Sequence, residues 1–245
     1  GVAVIFGLCG DTSLPLYDAL ARLNHGITHV LTRDERSAAY MADAYARVTG
    51  RVGVCEGPSG GGATYILPGV VEANESSIPI LAITSDISVT SRGRFTLTEL
   101  DQKALFAPLT KWNAVIDRAE DIPRTLRAAF SAMTTGTPGA AHIGLPYDVQ
   151  CDPVDEDDIW ADESLGRYPA RRAAPPSATI ERAAKIIRKA RAPLFICGGG
   201  VIIAGAETEL RMLAERIGAP VATTISGKGS IAETHSLSVG VVGSN

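Results

Sequence analysis

The run Val52-Gly53-Val54-Cys55 passes within two residues into Gly57-Pro58-Ser59-Gly60-Gly61-Gly62, and this succession narrows the choice of fold more than any other stretch. Four small or apolar residues in a row read as a short strand covered on both faces, the kind found in parallel sheets. The glycines after it free the backbone for positive φ and let it lie close to a ligand. Upstream, Ala38, Met41, Ala42, Tyr45 and Val48 repeat at three- and four-residue spacing, which predicts the buried face of a helix stopped at Gly50. Glu35 falls in the first turn of that helix, on the same inward side. Two roles compete for it. Thr32-Arg33-Asp34-Glu35 fits a capping box, in which the glutamate reaches back to the cap amide; the other role is chemistry beside the glycine-rich loop.

The rest of the chain repeats the same grammar. Strands are expected at Val2 to Phe6, Ile27 to Leu31, Pro79 to Thr84, Trp112 to Ile116 and Ala140 to Leu145. Helices are expected from about Ser13, from Ala63 to about Ser76, from Asp101 to Phe106 and from Asp121 to Met133. Strands alternating with helices predict an α/β fold with a doubly wound parallel sheet over residues 1–150. Residues 85–98 are polar and aperiodic, either a surface loop or the mouth of a site. Asp152, Asp155, Glu156, Asp157, Asp158, Asp162 and Glu163 crowd before Pro175-Pro176, so 151–176 reads as a solvated acidic linker. From Ser177 a second, Rossmann-like α/β unit begins, with a helix to about Arg191, a strand from Pro193 to Cys197 and the turn Gly198-Gly199-Gly200.

Composition excludes several classes of function. The chain has 245 residues, 20% of them charged, and a net charge of −4, with no basic stripe for nucleic acid and no apolar run of membrane-spanning length. Cys9, Cys55, Cys151 and Cys197 are scattered, without metal or redox spacing, and suit a reducing cytoplasm.

An acidic residue at a helix start, AYARVTG, a strand, PSGGGAT and later LTKW form a set. That set resembles the pyrimidine-binding domain of thiamine-diphosphate-dependent enzymes, in the branch containing acetolactate synthase, pyruvate oxidase and related decarboxylases. APLFICGGG, LAERIGAPVATT and SGKGSIAETHSLSVG resemble the first part of the central domain of the same enzymes, which binds FAD or another ADP-containing ligand in some members. The resemblance implies that Glu35 holds a carboxyl against the cofactor's pyrimidine nitrogen and favours the imino tautomer. It implies that Pro58, Ser59, Gly60, Gly61, Gly62, Tyr65 and Thr98 border the cofactor, and that Gly198, Gly199 and Gly200 admit a nucleotide phosphate. The implied substrate is a 2-oxo acid, decarboxylated or joined to a second carbonyl, in a homodimer or homotetramer without nucleic-acid or membrane partners.

Departures from the acetolactate synthase pattern lie around the cofactor and the second substrate. Gly61 stands where those enzymes have Pro, Tyr65 for Asn, Thr98 for Gln, Tyr147 for Lys and Leu8 for Tyr. The family's Gly-Asp-Gly motif, which holds the diphosphate and Mg²⁺ in a C-terminal domain, finds no match here. The expectation is therefore an internal piece of a longer enzyme, with a truncated second unit, no metal ligands of its own and no activity alone. A rival expectation is a catalytically silent nucleotide-binding or regulatory module of the same fold.

Overall fold

The computed structural model describes residues 1–155 and 159–243. Two compact units divide at Arg171–Arg172. In chain order the first unit contains β1 (Val4–Gly7), α1 (Leu14–Arg22), β2 (Thr28–Leu31), α2 (Glu35–Thr49), β3 (Gly53–Gly57), α3 (Gly61–Tyr65), α4 (Leu67–Glu75) and β4 (Ile80–Asp86). It continues through α5 (Gln102–Phe106), β5 (Trp112–Val115), α6 (Ile122–Thr134), β6 (Ala141–Pro146) and α7 (Tyr147–Cys151).

Six strands form one parallel sheet in the order β2-β1-β3-β4-β6-β5. Alternate side chains of each strand feed two cores. Phe6, Cys55 and Ala82 pack with Ala38, Ala42, Ile66 and Val70 of α2 and α4 on one face. Ile5, Val54, Leu81 and Ile143 pack with Leu20 of α1 and Ala129 and Met133 of α6 on the other. Helices on both faces are what strands without a wet side require, and the expected doubly wound sheet is observed. Strand β1 lies between β2 and β3, so the chain reverses direction across the sheet at β1 and β3. In such sheets that reversal opens a crevice outside the carboxyl ends of the strands.

Helix α2 sets how close its neighbours come. Its buried residues are Ala38, Ala39, Ala42, Asp43 and Ala46. Met41 and Val48, expected inward, are exposed. The inward face is narrower than the periodicity suggests because glycines meet it. A Cβ on Gly53 would lie 2.0 Å from the Ala42 carbonyl oxygen, and one on Gly69 2.6 Å from the Ala39 Cβ. At that separation only alanine-sized side chains fit between the backbones. Gly50 ends the helix in the left-handed conformation, φ 66°.

The helix expected from Ala63 to Ser76 is two helices. Ile66 separates α3 from α4, and Pro68 sits in the first turn of α4, where its missing N–H leaves no bond unmade. Ile66 and Val70 of this segment are buried. Nearby, Tyr40, Met41, Val48 and Tyr65 are exposed apolar side chains.

Residues 159–171 run over the first unit. Trp160 lies 4.3 Å from the Arg127 guanidinium, Leu165 is buried, the Tyr168 hydroxyl donates to the Ala46 carbonyl at 3.0 Å, and Ala170 N donates to Thr134 O. Within the expected linker, residues 159–164 are exposed, whereas Leu165, Tyr168 and Ala170 pack against the sheet domain. Glu156, Asp157 and Asp158 lie outside the described residues.

The second unit contains α8 (Ser177–Lys189), β7 (Phe195–Cys197), α9 (Gly199–Ala204), α10 (Glu207–Ile217), β8 (Val221–Thr223) and β9 (Ser238–Val241). Its three strands pair in parallel in the order β7-β8-β9 around Cys197, Ala214, Val221 and Ile231. Among the described residues no helix is long and apolar enough to cross a membrane, and no group of three His, Cys, Asp or Glu could hold a metal ion.

Candidate functional site

Three chain segments leave the sheet at the crevice: the turn after β1, the entry to α2 after β2, and the glycine-rich loop after β3. Thr32 anchors the second to the first, donating through both N (2.8 Å) and Oγ1 (3.2 Å) to the Gly7 carbonyl. The entry to α2 is thereby fixed in height above the sheet before the helix begins.

Asp34 is the N-cap of α2, and its carboxylate accepts from Arg36 N at 2.8 Å. The Arg36 side chain adds a bidentate pair and draws the Asp34 carboxyl down to about 2. Glu35 is therefore the first helical residue and does not close a capping box. Its half-buried carboxyl makes no hydrogen bond with the described residues. Oε1 stands 3.4 Å from where a Cβ on Gly62 would begin. A carboxylate there also meets the positive end of the α2 dipole.

The loop facing Glu35 is shaped by what it lacks. Pro58 fills the space above two glycines: a Cβ on Gly10 would come within 2.5 Å of its ring, and one on Gly62 within 2.4 Å. Gly60 has φ 67°, which a side chain would strain, and its missing Cβ leaves room for Thr98. Gly61 opens α3 with free space around it.

Ser59 is buried and joins the loop to its surroundings. Its N–H donates to Thr12 Oγ1 at 3.1 Å, and its hydroxyl lies 2.7 Å from that of Thr98. Thr12 Oγ1 also lies 2.9 Å from Ser85 Oγ. Hydroxyls from the loops after β1, β3 and β4 thus form one chain that ends at Thr98. Tyr65, half exposed, turns away from the loop and lies under the Arg36 guanidinium at 5.8 Å.

The expected residues Glu35, Pro58, Ser59, Gly60, Gly61, Gly62 and Thr98 are thus brought to one crevice, with Tyr65 at its edge. Gly198, Gly199 and Gly200 lie in the other unit, at the turn from β7 into α9. Gly199 is explained there by packing, since its Cβ would sit 3.2 Å from Ser226. A cavity of about 350 Å³ lies elsewhere on the carboxyl edge, at the ends of β4 and β5, lined by Asp86, Arg92, Glu99, Gln102 and Asp117. Arg92 spans it, pairing with Asp117 at 2.5 Å and with Asp86 at 3.8 Å. It does not include Glu35.

The sequence reading passed over Glu56. This residue is the last but one of the buried strand β3, is 1% exposed, and accepts a 2.6 Å hydrogen bond at Oε2 from the Tyr17 hydroxyl. Its Oε1 is buried without a partner. Burial first, and the charge of Glu35 as well, push the carboxyl up to about 7, against the lowering effect of the Tyr17 hydrogen bond and of the nearby Ser13 hydroxyl. The signal was present: an acidic residue directly after Val52-Gly53-Val54-Cys55, in a strand with no wet face.

The Glu35 carboxyl thus stands beside a wall of backbone and proline at Pro58 and Gly62. Residues 1–105 match the thiamine pyrophosphate enzymes' N-terminal TPP binding domain, and residues 180–245 match the central domain of the same enzymes. A probable acetolactate synthase large subunit of Methanocaldococcus jannaschii is 43% identical over 245 residues, covering 99% of this chain and 41% of that protein. An acetolactate synthase of Arthrospira platensis is 38% identical over 250 residues, covering 99% and 42%. The acetolactate synthase large subunit of Corynebacterium glutamicum is 38% identical over 242 residues, covering 98% and 38%. The chain thus spans about 40% of the length of the curated relatives it matches.

Proposed function

The chain belongs to the thiamine pyrophosphate enzymes, and from that premise we infer that it is the cofactor-activating part of an enzyme acting on 2-oxo acids, by decarboxylation, carboligation or both. One observation carries the reading. Glu35, relieved of capping by Asp34, keeps an unengaged carboxyl beside the bare wall at Gly62. Thiamine diphosphate, the same cofactor, supplies a carbanion that adds to carbonyl groups.

The residues of this chain have simpler tasks. Glu35 holds the aminopyrimidine end through its carboxyl, where a proton is kept or released. Pro58 and Gly62 shape the wall and keep water from that side. Ser59 and Thr98 fix the loop through their hydroxyls. Mg²⁺ accompanies the diphosphate and is not assigned to these residues. An ADP-containing ligand such as FAD, where the second unit takes one, would meet Gly198–Gly200. The exposed Tyr40, Met41 and Val48 of α2 support association with a second copy, which sedimentation measures, and four free cysteines suit a reducing cytoplasm.

Glu35→Gln in the full-length protein tests the reading. Loss of a positioned acid–base group lowers turnover by about 10²–10⁴-fold, with the melting temperature retained. Unchanged turnover would overturn the assignment, and an inactive wild type with the fold intact would favour a silent regulatory module.

A further inference from the structure

The hydroxyls of Thr12, Ser59, Ser85 and Thr98 meet at the crevice. Each has a single proton to give, so their contacts also fix the direction in which each proton points. Thr12 is the hub. Its Oγ1 accepts from Ser59 N at 3.1 Å and donates to Ser59 Oγ at 3.1 Å. That donation uses the Thr12 proton, so the 2.9 Å contact between Thr12 Oγ1 and Ser85 Oγ has Ser85 as its donor. Ser85 is buried, and Gln102 holds it in place by donating through Nε2 to its carbonyl oxygen at 2.8 Å.

The same count settles the outer end. Ser59 is buried, and its Oγ lies at hydrogen-bond distance from two side-chain oxygens, Thr12 Oγ1 and Thr98 Oγ1. It receives the Thr12 proton, so its own proton has one acceptor, Thr98 Oγ1 at 2.7 Å. Reversing that bond would strand the Ser59 proton in the interior without a partner, whereas the exposed Thr98 can give its proton to solvent or to a ligand. The hydrogen bonds therefore run one way, from Ser85 through Thr12 and Ser59 to Thr98. The Thr98 proton has no acceptor among the described residues. Its backbone is held at φ 70°, a conformation that costs a β-branched residue energy and is found where a side chain must be aimed.

We propose that Thr98 is a substrate-binding residue, its hydroxyl oriented by this chain to donate one hydrogen bond from the crevice wall to an oxygen of the 2-oxo acid. The inference rests on the reading of the crevice given above and deepens it. A donor whose own oxygen is already engaged by Ser59 suits a group that only accepts, as the carboxylate and keto oxygens of a 2-oxo acid do. Because Ser59 occupies the inner side of the Thr98 oxygen, the proton already points outward and little orientation is lost on binding.

Neutron diffraction from crystals of the full-length, cofactor-free protein exchanged into D₂O reads the direction itself and needs no variant. The Ser59 deuteron should lie on the line to Thr98 Oγ1, with the Thr98 deuteron turned away from Ser59. A Thr98 deuteron on the line to Ser59 overturns the proposal. Kinetics of the full-length enzyme with pyruvate as the probe then identify the acceptor. Thr98→Val keeps the shape of the side chain and removes the proton. Its KM should rise about 2- to 10-fold, the worth of one hydrogen bond, with kcat and the affinity for thiamine diphosphate retained. Thr98→Ser should hold KM near the wild-type value. Ser59→Ala breaks the same bond between the two residues but leaves the Thr98 proton, so its KM should rise less. Equal rises in Thr98→Val and Ser59→Ala, an unchanged KM in Thr98→Val, or a loss confined to cofactor affinity overturns the assignment to the 2-oxo acid. Unchanged turnover in Glu35→Gln sinks the reading of the crevice instead, so the two failures are told apart.

Discussion

The Thr98 hydroxyl lies 2.7 Å from the Ser59 hydroxyl, and Thr98 holds φ 70° to place it there. A β-branched residue in the left-handed region is strained and persists where its surroundings hold it. The bond thus joins the glycine-rich loop to residues 88–100, which carry the exposed Phe95 and Leu97. Thr98→Ala should remove about 1 kcal/mol of stability and release this segment. Limited trypsin digestion checks it: cleavage after Arg94 should be faster in the variant, with the rest of the digestion pattern unchanged.

Neighbouring acids at the start of α2 should separate stability from chemistry. Asp34→Ala removes the cap and the Arg36 pair, and is expected to lower the melting temperature by roughly 2–4 °C. Glu35→Gln, which breaks no hydrogen bond, should melt as the wild type does. Thermal unfolding of the two variants side by side decides this, and equal losses would return Glu35 to a capping role.

Two glycines eight residues apart should respond in opposite ways. Gly53→Ala drives a Cβ into the Ala42 carbonyl and should cost about 3 kcal/mol or more, with loss of soluble protein the expected outcome in expression trials. Gly61 has an ordinary φ and free space around it. Gly61→Ala, at a helix start, should be neutral or stabilising by about 0.4–1 kcal/mol in denaturant unfolding.

Stability should fall as pH rises through neutrality. The folded state raises Glu56 from 4.5 to about 7, so it binds the proton more tightly than the unfolded chain does. The resulting stabilisation is fully present below the unfolded value and is lost as pH rises through the folded one, amounting to on the order of 3 kcal/mol. Urea unfolding at pH 5 and pH 8 measures the difference, which Glu56→Gln should largely abolish.

Why some of this was legible in the sequence and some was not follows from the physics of each element. Doubly buried strands announce themselves by unbroken apolar runs, and β3 and β4 lie where such runs stand. The glycine-rich loop was legible because Gly60 needs positive φ and Gly62 tolerates no Cβ. Met41 and Val48 misled because periodicity marks apolar residues, whereas the width of a buried helical face is set by its neighbours, here Gly53 and Gly69. Pro68 is compatible with a strained continuous helix or with a new helix start, and only the break at Ile66 distinguishes them. Glu56 carries a signal in the sequence, an acid in a strand with no wet face, but its partner Tyr17, distant in sequence, shows only in the fold.

The alanine face of α2 has one more consequence. Alanine and glycine have no side-chain rotamers, so where Ala39 and Ala42 meet Gly69 and Gly53 there is no alternative packing to adopt. A face of leucines could absorb a disturbance by turning a side chain; this one transmits it as displacement of the whole helix. Substitutions beneath α2, far from the crevice, should therefore reach Glu35 as a change of position, and the accuracy of the site is set by the straightness of a backbone contact two turns away.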